Sequence, residues 1–182
     1  FKLVITGAGR VGKGALEVIT KTNIQKVSPK DFLAKEFNFP VYTQLDVEDY
    51  VSRENNKSFD KSAFFYDPAG HVSTFMKYAK VADLYVACHY WDNRAPYIFS
   101  REDVKNPNWN IKIVADVSCD IDGPVASTLR PSTIENPFYG YSPTLEKEVD
   151  FNNENAVGVM AVDNLPCELP KDASEEFGKM FI

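Results

Sequence analysis

The chain has 182 residues, 44% of them hydrophobic and 13% aromatic, enough for one substantial core and close to the length of a single domain. A formal net charge of −6, with no Lys or Arg run longer than a pair, excludes the basic stripe of a nucleic-acid-binding surface. No apolar run approaches the roughly 18 to 20 residues that cross a bilayer, and the first residues lack the basic and apolar parts of a signal peptide. A soluble small-molecule protein without nucleic-acid or membrane partners is therefore expected, in the cytosol or, in a eukaryote, the mitochondrial matrix.

In chain order, the apolar run Leu3-Val-Ile-Thr6 predicts a strand and breaks into Gly7, Gly9 and Gly12 before a helix over Val11 to Lys21. A strand, three glycines at this spacing and a helix form a dinucleotide-binding turn. Gly7 permits the tight bend, Gly9 leaves room for a pyrophosphate against the backbone, and Gly12 lets the helix pack closely. The pyrophosphate then meets unpaired N–H groups at the helix N-terminus, beside Arg10 and Val11. Gly7, Gly12 and Lys13 also fit most of an NTPase phosphate loop, but that loop needs a Ser or Thr where this chain has Gly14.

Ile24 to Val27 reads as a second strand, Pro29 to Glu36 as a short helix, and Pro40 to Thr43 as a third strand. The polar stretch Gln44 to Lys61, with Asn55-Asn56-Lys57 near its centre, reads as a surface helix followed by a loop. Val72 to Lys80 and Pro96 to Asn106 have helical spacing, whereas Ala82 to His89 and Ile111 to Asp116 read as buried strands. From Pro124 to Asn155 an irregular excursion or hairpin follows this fifth strand, and Ala156 to Val162 resumes the sheet. Alternating strands and helices predict an α/β, Rossmann-type, doubly wound and mostly parallel sheet. The whole of residues 1–182 is expected to be one dinucleotide-binding domain, a fragment of a longer two-domain enzyme, since it opens on its first strand and stops in a helix at Lys179 to Ile182.

Ligands in such sheets collect at the carboxyl ends of the strands. These ends are Tyr90 to Pro96, Asp116 to Gly123 and Asp163 to Pro166. An acidic residue about 20 positions past the glycines usually accepts from the ribose 2′-hydroxyl of NAD. Here Ser28 stands at that point with Lys30 nearby, which favours the 2′-phosphate of NADP, with NAD still possible. Arg130 offers a planar fork for a substrate carboxylate, while His71 and His89, lone histidines, read as structural. The cysteines Cys88, Cys119 and Cys167 are odd in number and widely spaced, as suits reduced thiols, and no Cys/His cluster has metal-ligand spacing, so no metal is expected.

Several segments together resemble the lysine-forming saccharopine dehydrogenases and the lysine–2-oxoglutarate reductase part of the bifunctional lysine-degrading enzyme, in a wider group with alanine dehydrogenase and transhydrogenase. They are Phe1 to Gly9, Tyr66-Asp-Pro-Ala, Tyr90-Trp91 to Pro96, Ala115 to Asp120, Thr133-Ile-Glu-Asn-Pro-Phe, and Val162 to Ser174. The resemblance implies hydride transfer between NAD(P)H and the imine of lysine and 2-oxoglutarate, with saccharopine as the reduced compound. It implies cofactor contacts from Arg10, Val11, Tyr90, Val117, Val162, Asp163, Asn164 and Leu165. Ser118, Cys119 and Asp120 would face substrate, Asp120 in a catalytic position. The family's lysine and histidine acid–base pair lies in a preceding domain, so this chain alone is expected to be inactive. An alanine-dehydrogenase-like enzyme and a non-catalytic nucleotide sensor are the alternatives.

Overall fold

The computed structural model describes residues 1–54 and 58–181. In chain order it holds β1 (Lys2–Thr6), α1 (Arg10–Ile19), β2 (Gln25–Lys26), α2 (Pro29–Ala34), β3 (Val41–Leu45), α3 (Val47–Tyr50), β4 (Val51–Arg53), α4 (Lys61–Tyr66), β5 (His71–Ser73), α5 (Met76–Ala79) and β6 (Leu84–Ala87). These are followed by α6 (Arg101–Lys105), β7 (Ile113–Asp116), β8 (Phe138–Ser142), β9 (Lys147–Val149), β10 (Val157–Met160) and α7 (Pro170–Lys179). Eight strands make one sheet in the order β2-β3-β1-β6-β7-β10-β8-β9, and β4 and β5 form a separate antiparallel ribbon. The run from β2 to β10 is parallel throughout, while β8 and β9 add an antiparallel hairpin at one side. This is the expected α/β Rossmann-type architecture, and the excursion after β7 contains the expected hairpin.

All five residues of β1 are buried because both faces of the sheet are covered. Alternate side chains go to opposite cores. Leu3 and Ile5 pack with Ile19 and Leu16 of α1, and Val4 joins the larger cluster of Phe32, Val41, Tyr85, Val114 and Val159 on the other face. Within α1 the buried positions are Gly12 and Ile19, whereas Val18 is 67% exposed.

Several expected elements are shorter or different, and tertiary pairing is the reason. In the segment expected to be helical from Pro96, the Ile98 and Phe99 N–H groups donate to the Pro124 carbonyl and Phe99 bridges Val125, so helix α6 starts only after Ser100. There a reciprocal capping box between Ser100 and Asp103 fixes its first turn. Val72 is drawn into β5 by pairing with β4, leaving only Met76–Ala79 of the expected helix. The stretch after Gln44 is not a surface helix: Val47, Tyr50 and Val51 are buried in the core. Its centre, Asn55-Asn56-Lys57, lies outside the described residues, as does Ile182 at the end of the final expected helix.

Candidate dinucleotide-binding site

Parallel pairing brings five strand ends into line. Thr6 is level with Leu45 on one side and Ala87 on the other, Ala87 is level with Asp116, and Met160 pairs with Ala115. The segments leaving these ends therefore form one ledge in the order Asp46, Gly7 to Gly12, Cys88 to Trp91, Val117 to Asp120 and Val162 to Leu165. Four strand steps separate its ends, roughly 19 Å at the usual spacing of paired strands. Chain connectivity reverses between β1 and β6, the place where open α/β sheets bind ligands.

The three glycines differ in what surrounds them. Gly7 has φ +97°, and a Cβ there would lie 2.3 Å from the Cys88 carbonyl oxygen, so only glycine allows the turn to pass so close to the end of β6. A Cβ on Gly12 would lie 2.1 Å from the Gly7 carbonyl oxygen, because the first turn of α1 sits directly against the bend. Nothing lies within 4 Å of a Cβ built on Gly9. That opening is where a ligand can meet backbone. The bend is locked by the Gly7 N–H donating to the Leu45 carbonyl (3.1 Å) and by Gln44 Nε2 donating to the Gly7 carbonyl (2.9 Å). Helix α1 has neither a side-chain cap nor an acidic residue in its first turn, so its positive N-terminal end is available to an anion.

A cleft of about 540 Å³ opens over this turn. Gly7, Gly9, Arg10, Val11 and Tyr90 line it, joined by Asp46, His89 and Trp91, and an apolar wall of Tyr50, Phe64 and Phe65 closes one side. Tyr90 is 85% exposed at its edge. Asp46 is the functional candidate that sequence reasoning missed. It follows β3, the strand hydrogen-bonded directly to β1, whereas β2 is the outermost strand of the sheet. Ser28 and Lys30 follow β2, one strand further from β1 than Asp46. Ser28 caps α2, its Oγ accepting from the Asp31 N–H (3.1 Å), and Lys30 lies within α2. Ser28 shares a shallower neighbouring cleft with Asp46. The Asp46 carboxylate accepts from the Val47 N–H and pairs with Lys61. Partial burial pushes its pKa up, but these partners outweigh burial and hold it below the usual carboxylate range.

The remaining expected residues occupy the ledge outside that cleft. The Val117 N–H donates to the Ala87 carbonyl (3.0 Å). Asp116, fully buried, accepts from Ser118 Oγ (2.6 Å), the Cys119 N–H (3.1 Å) and Thr128 Oγ1 (2.7 Å), and so knots this loop together. Cys119 takes a left-handed conformation (φ 57°) and its Sγ donates to the Ala161 carbonyl; burial, then the charge of Asp116, lift the thiol to about 11. The side chain is thus turned to the backbone and held as a thiol at neutral pH. Asp120 is half-buried, in a turn closed by the Gly123 N–H, and burial followed by Asp116 raises its pKa. Val162 is buried beside Ser132, while Asp163, Asn164 and Leu165 are exposed, Asn164 left-handed (φ 52°) before a 3₁₀ turn at Leu165–Cys167. Arg130 lies elsewhere. Its guanidinium already grips Glu148 through two 2.7 Å bonds and stacks on Tyr139, in a separate groove with Thr133 and Phe151.

Among the described residues no helix is long and apolar enough to cross a membrane, and no group of three or more His, Cys, Asp or Glu side chains could hold a metal ion. No protein-family model matches the chain. It is 27% identical to an alpha-aminoadipic semialdehyde synthase of Arabidopsis thaliana over 96% of its own length and 18% of that protein. It is 28% identical to the mitochondrial alpha-aminoadipic semialdehyde synthase of Rattus norvegicus, over 97% of this chain and 22% of the relative. A lysine-forming, NAD(+) saccharopine dehydrogenase of Emericella nidulans is 24% identical over 97% of this chain and 38% of its own. A solved L-alanine dehydrogenase superposes with a TM-score of 0.49 and 18% identity, covering 96% of this chain and 39% of that one. The chain thus spans between about a fifth and two fifths of these curated relatives. By sequence, along almost its whole length, it resembles the alpha-aminoadipic semialdehyde synthases and the lysine-forming saccharopine dehydrogenases.

Proposed function

We propose that this chain is the pyridine-nucleotide-binding domain of an oxidoreductase that acts on the C–N bond joining lysine to 2-oxoglutarate, with saccharopine as the reduced compound. The observation that carries the reading is the glycine turn: Gly7 and Gly12 are compelled by packing, while Gly9 faces open space beside the uncapped N-terminus of α1. When bound, the nicotinamide cofactor gives or takes the hydride. The chain's part is to hold the dinucleotide across the ledge, with pyrophosphate on the glycine turn and nicotinamide toward Val117 and Val162 to Leu165. Asp120 faces the substrate side, and a preceding domain supplies the lysine and histidine that move protons. The names of the relatives support this substrate class, and their greater length supports a second domain. The compartment is the cytosol, or the mitochondrial matrix in a eukaryote.

For the adenosine ribose, Asp46 replaces Ser28 and Lys30 as the reader. A carboxylate at the end of the strand beside β1 accepts from a free 2′-hydroxyl and repels a 2′-phosphate, so the cofactor is NAD rather than the NADP expected from residue 28. Calorimetric titration with NADH and NADPH tests both levels. NADH should bind at least tenfold more tightly, about 1.4 kcal/mol, and Asp46→Ser should remove the preference. Equal or tighter NADPH binding overturns the assignment of Asp46. Absence of binding by either nucleotide sinks the domain reading itself. In the protein with its preceding domain, NADH oxidation should require lysine and 2-oxoglutarate together.

A further inference from the structure

Two residues that line the cleft over the glycine turn, His89 and Trp91, each have a buried ring nitrogen without a hydrogen-bond partner, His89 Nε2 and Trp91 Nε1. Orphaned polar atoms in a protein interior carry a desolvation penalty and call for a reason. His89 follows β6 and is 7% exposed, and its backbone N would lie 3.0 Å from a Cβ on Gly7, so it stands beside the first glycine of the turn.

The other side of the ring fixes its tautomer. Nδ1 is 3.0 Å from Thr6 Oγ1 and 3.4 Å from the Tyr85 hydroxyl, which in turn lies 2.8 Å from Thr6 Oγ1. Thr6 and Tyr85 are both fully buried, so their two hydroxyl protons must be used within this triangle. If Tyr85 donates to Thr6 and Thr6 donates to Nδ1, both are used. With the ring proton on Nδ1 instead, Nδ1 donates to Thr6, Thr6 donates to Tyr85, and the phenolic proton has nowhere to go. The first arrangement puts the ring proton on Nε2. Burial, opposed only in part by the charge of Asp116, also brings the His89 pKa down to about 4, so the ring is neutral at physiological pH.

We infer that His89 is a neutral hydrogen-bond donor to the bound dinucleotide, its Nε2–H aligned by the Tyr85–Thr6 hydroxyl relay and directed at a pyrophosphate oxygen resting on the glycine turn. The inference rests on the dinucleotide reading. A neutral donor suits this position, since a buried imidazolium would carry a charge uncompensated whenever the cleft is empty. His89→Phe keeps the ring and removes the donor, and His89→Gln restores an N–H of similar reach.

The test combines ring ¹⁵N NMR of the protein with calorimetry using NADH, ADP-ribose and adenosine. The expected result is an Nε2-protonated neutral ring whose Nε2–H resonance moves on adding ADP-ribose. His89→Phe should weaken NADH and ADP-ribose about five- to tenfold, leave adenosine unchanged, and be partly rescued in His89→Gln. An Nδ1-protonated ring overturns the proposal even if the variants fail to fold. So does an unchanged affinity for ADP-ribose in a folded His89→Phe protein, or an equal loss for adenosine; either leaves the dinucleotide reading standing. If the native protein binds neither NADH nor ADP-ribose, that underlying reading fails and the inference with it.

Discussion

At the scale of single residues, the glycine turn separates fold from function. Gly9 has no neighbour within 4 Å of a built Cβ, so Gly9→Val should leave the unfolding temperature unchanged while abolishing NADH binding. Gly12→Val should do more damage, because its Cβ meets the Gly7 carbonyl oxygen at 2.1 Å. Overpacking of this kind costs about 1 to 3 kcal/mol, so both stability and binding should fall. Thermal unfolding and calorimetry on the two proteins check this. A destabilised Gly9→Val protein, or a fully stable Gly12→Val one, would contradict the division of roles. All three glycines were legible in the sequence because a tight turn is a local affair. Asp46 was not, since its meaning depends on which strand lies beside β1, and that is decided by pairing between Lys2 to Thr6 and Val41 to Leu45. His89 was read as a lone structural histidine because its partners, Thr6 and Tyr85, converge only through the sheet.

At the scale of elements, the loop after β7 hangs on one carboxylate. Asp116 holds a serine hydroxyl, a backbone N–H and the Thr128 hydroxyl at once, tying the strand end to the segment that runs on toward β8. Asp116→Ala should destabilise the protein by roughly 2 to 4 kcal/mol, since it strands three donors, two of them in the half-buried loop and one fully buried. Urea unfolding measures it, and a midpoint within error of the native protein's would refute the anchoring role. The same loop explains why the sequence pointed correctly to the strand end yet misjudged the length of its neighbours. Residues 96–99 have helical spacing, but the Ile98 and Phe99 N–H groups both donate to the Pro124 carbonyl, which keeps this segment out of the helix. Helical period alone carries no information about such a competitor. Likewise Arg130 was singled out for its fork, and its occupant, Glu148, comes from the hairpin strand β9 opposite.

For the molecule as a whole, the buried histidine links proton concentration to stability. His89 titrates near 4 in the folded protein and near 6.5 when unfolded. Between these values the unfolded chain binds the extra proton, so acid favours unfolding. The stability from keeping His89 neutral is complete above about pH 6.5 and is lost as the pH falls toward 4. His89→Phe should therefore lose about 2 kcal/mol less than the native protein between pH 7 and pH 5, read from urea unfolding at the two values. Parallel acid limbs in the two proteins would show that the ring is not held neutral by the fold.

An eight-stranded sheet has two open borders, and here they fall to β2, two residues long, and β9, three residues long. A row of unpaired backbone groups invites another copy to dock strand against strand, and the hazard grows with the length of the row. These borders offer too few groups for that, and each carries a lysine, Lys26 on one and Lys147 on the other, whose charge would be brought against the incoming strand. The long, apolar, β-rich strands that build the ledge are all interior. The sequence therefore concentrates its sticky segments where they are already paired and leaves the margins short and charged, so lateral growth of the sheet from one copy into the next is opposed at both ends.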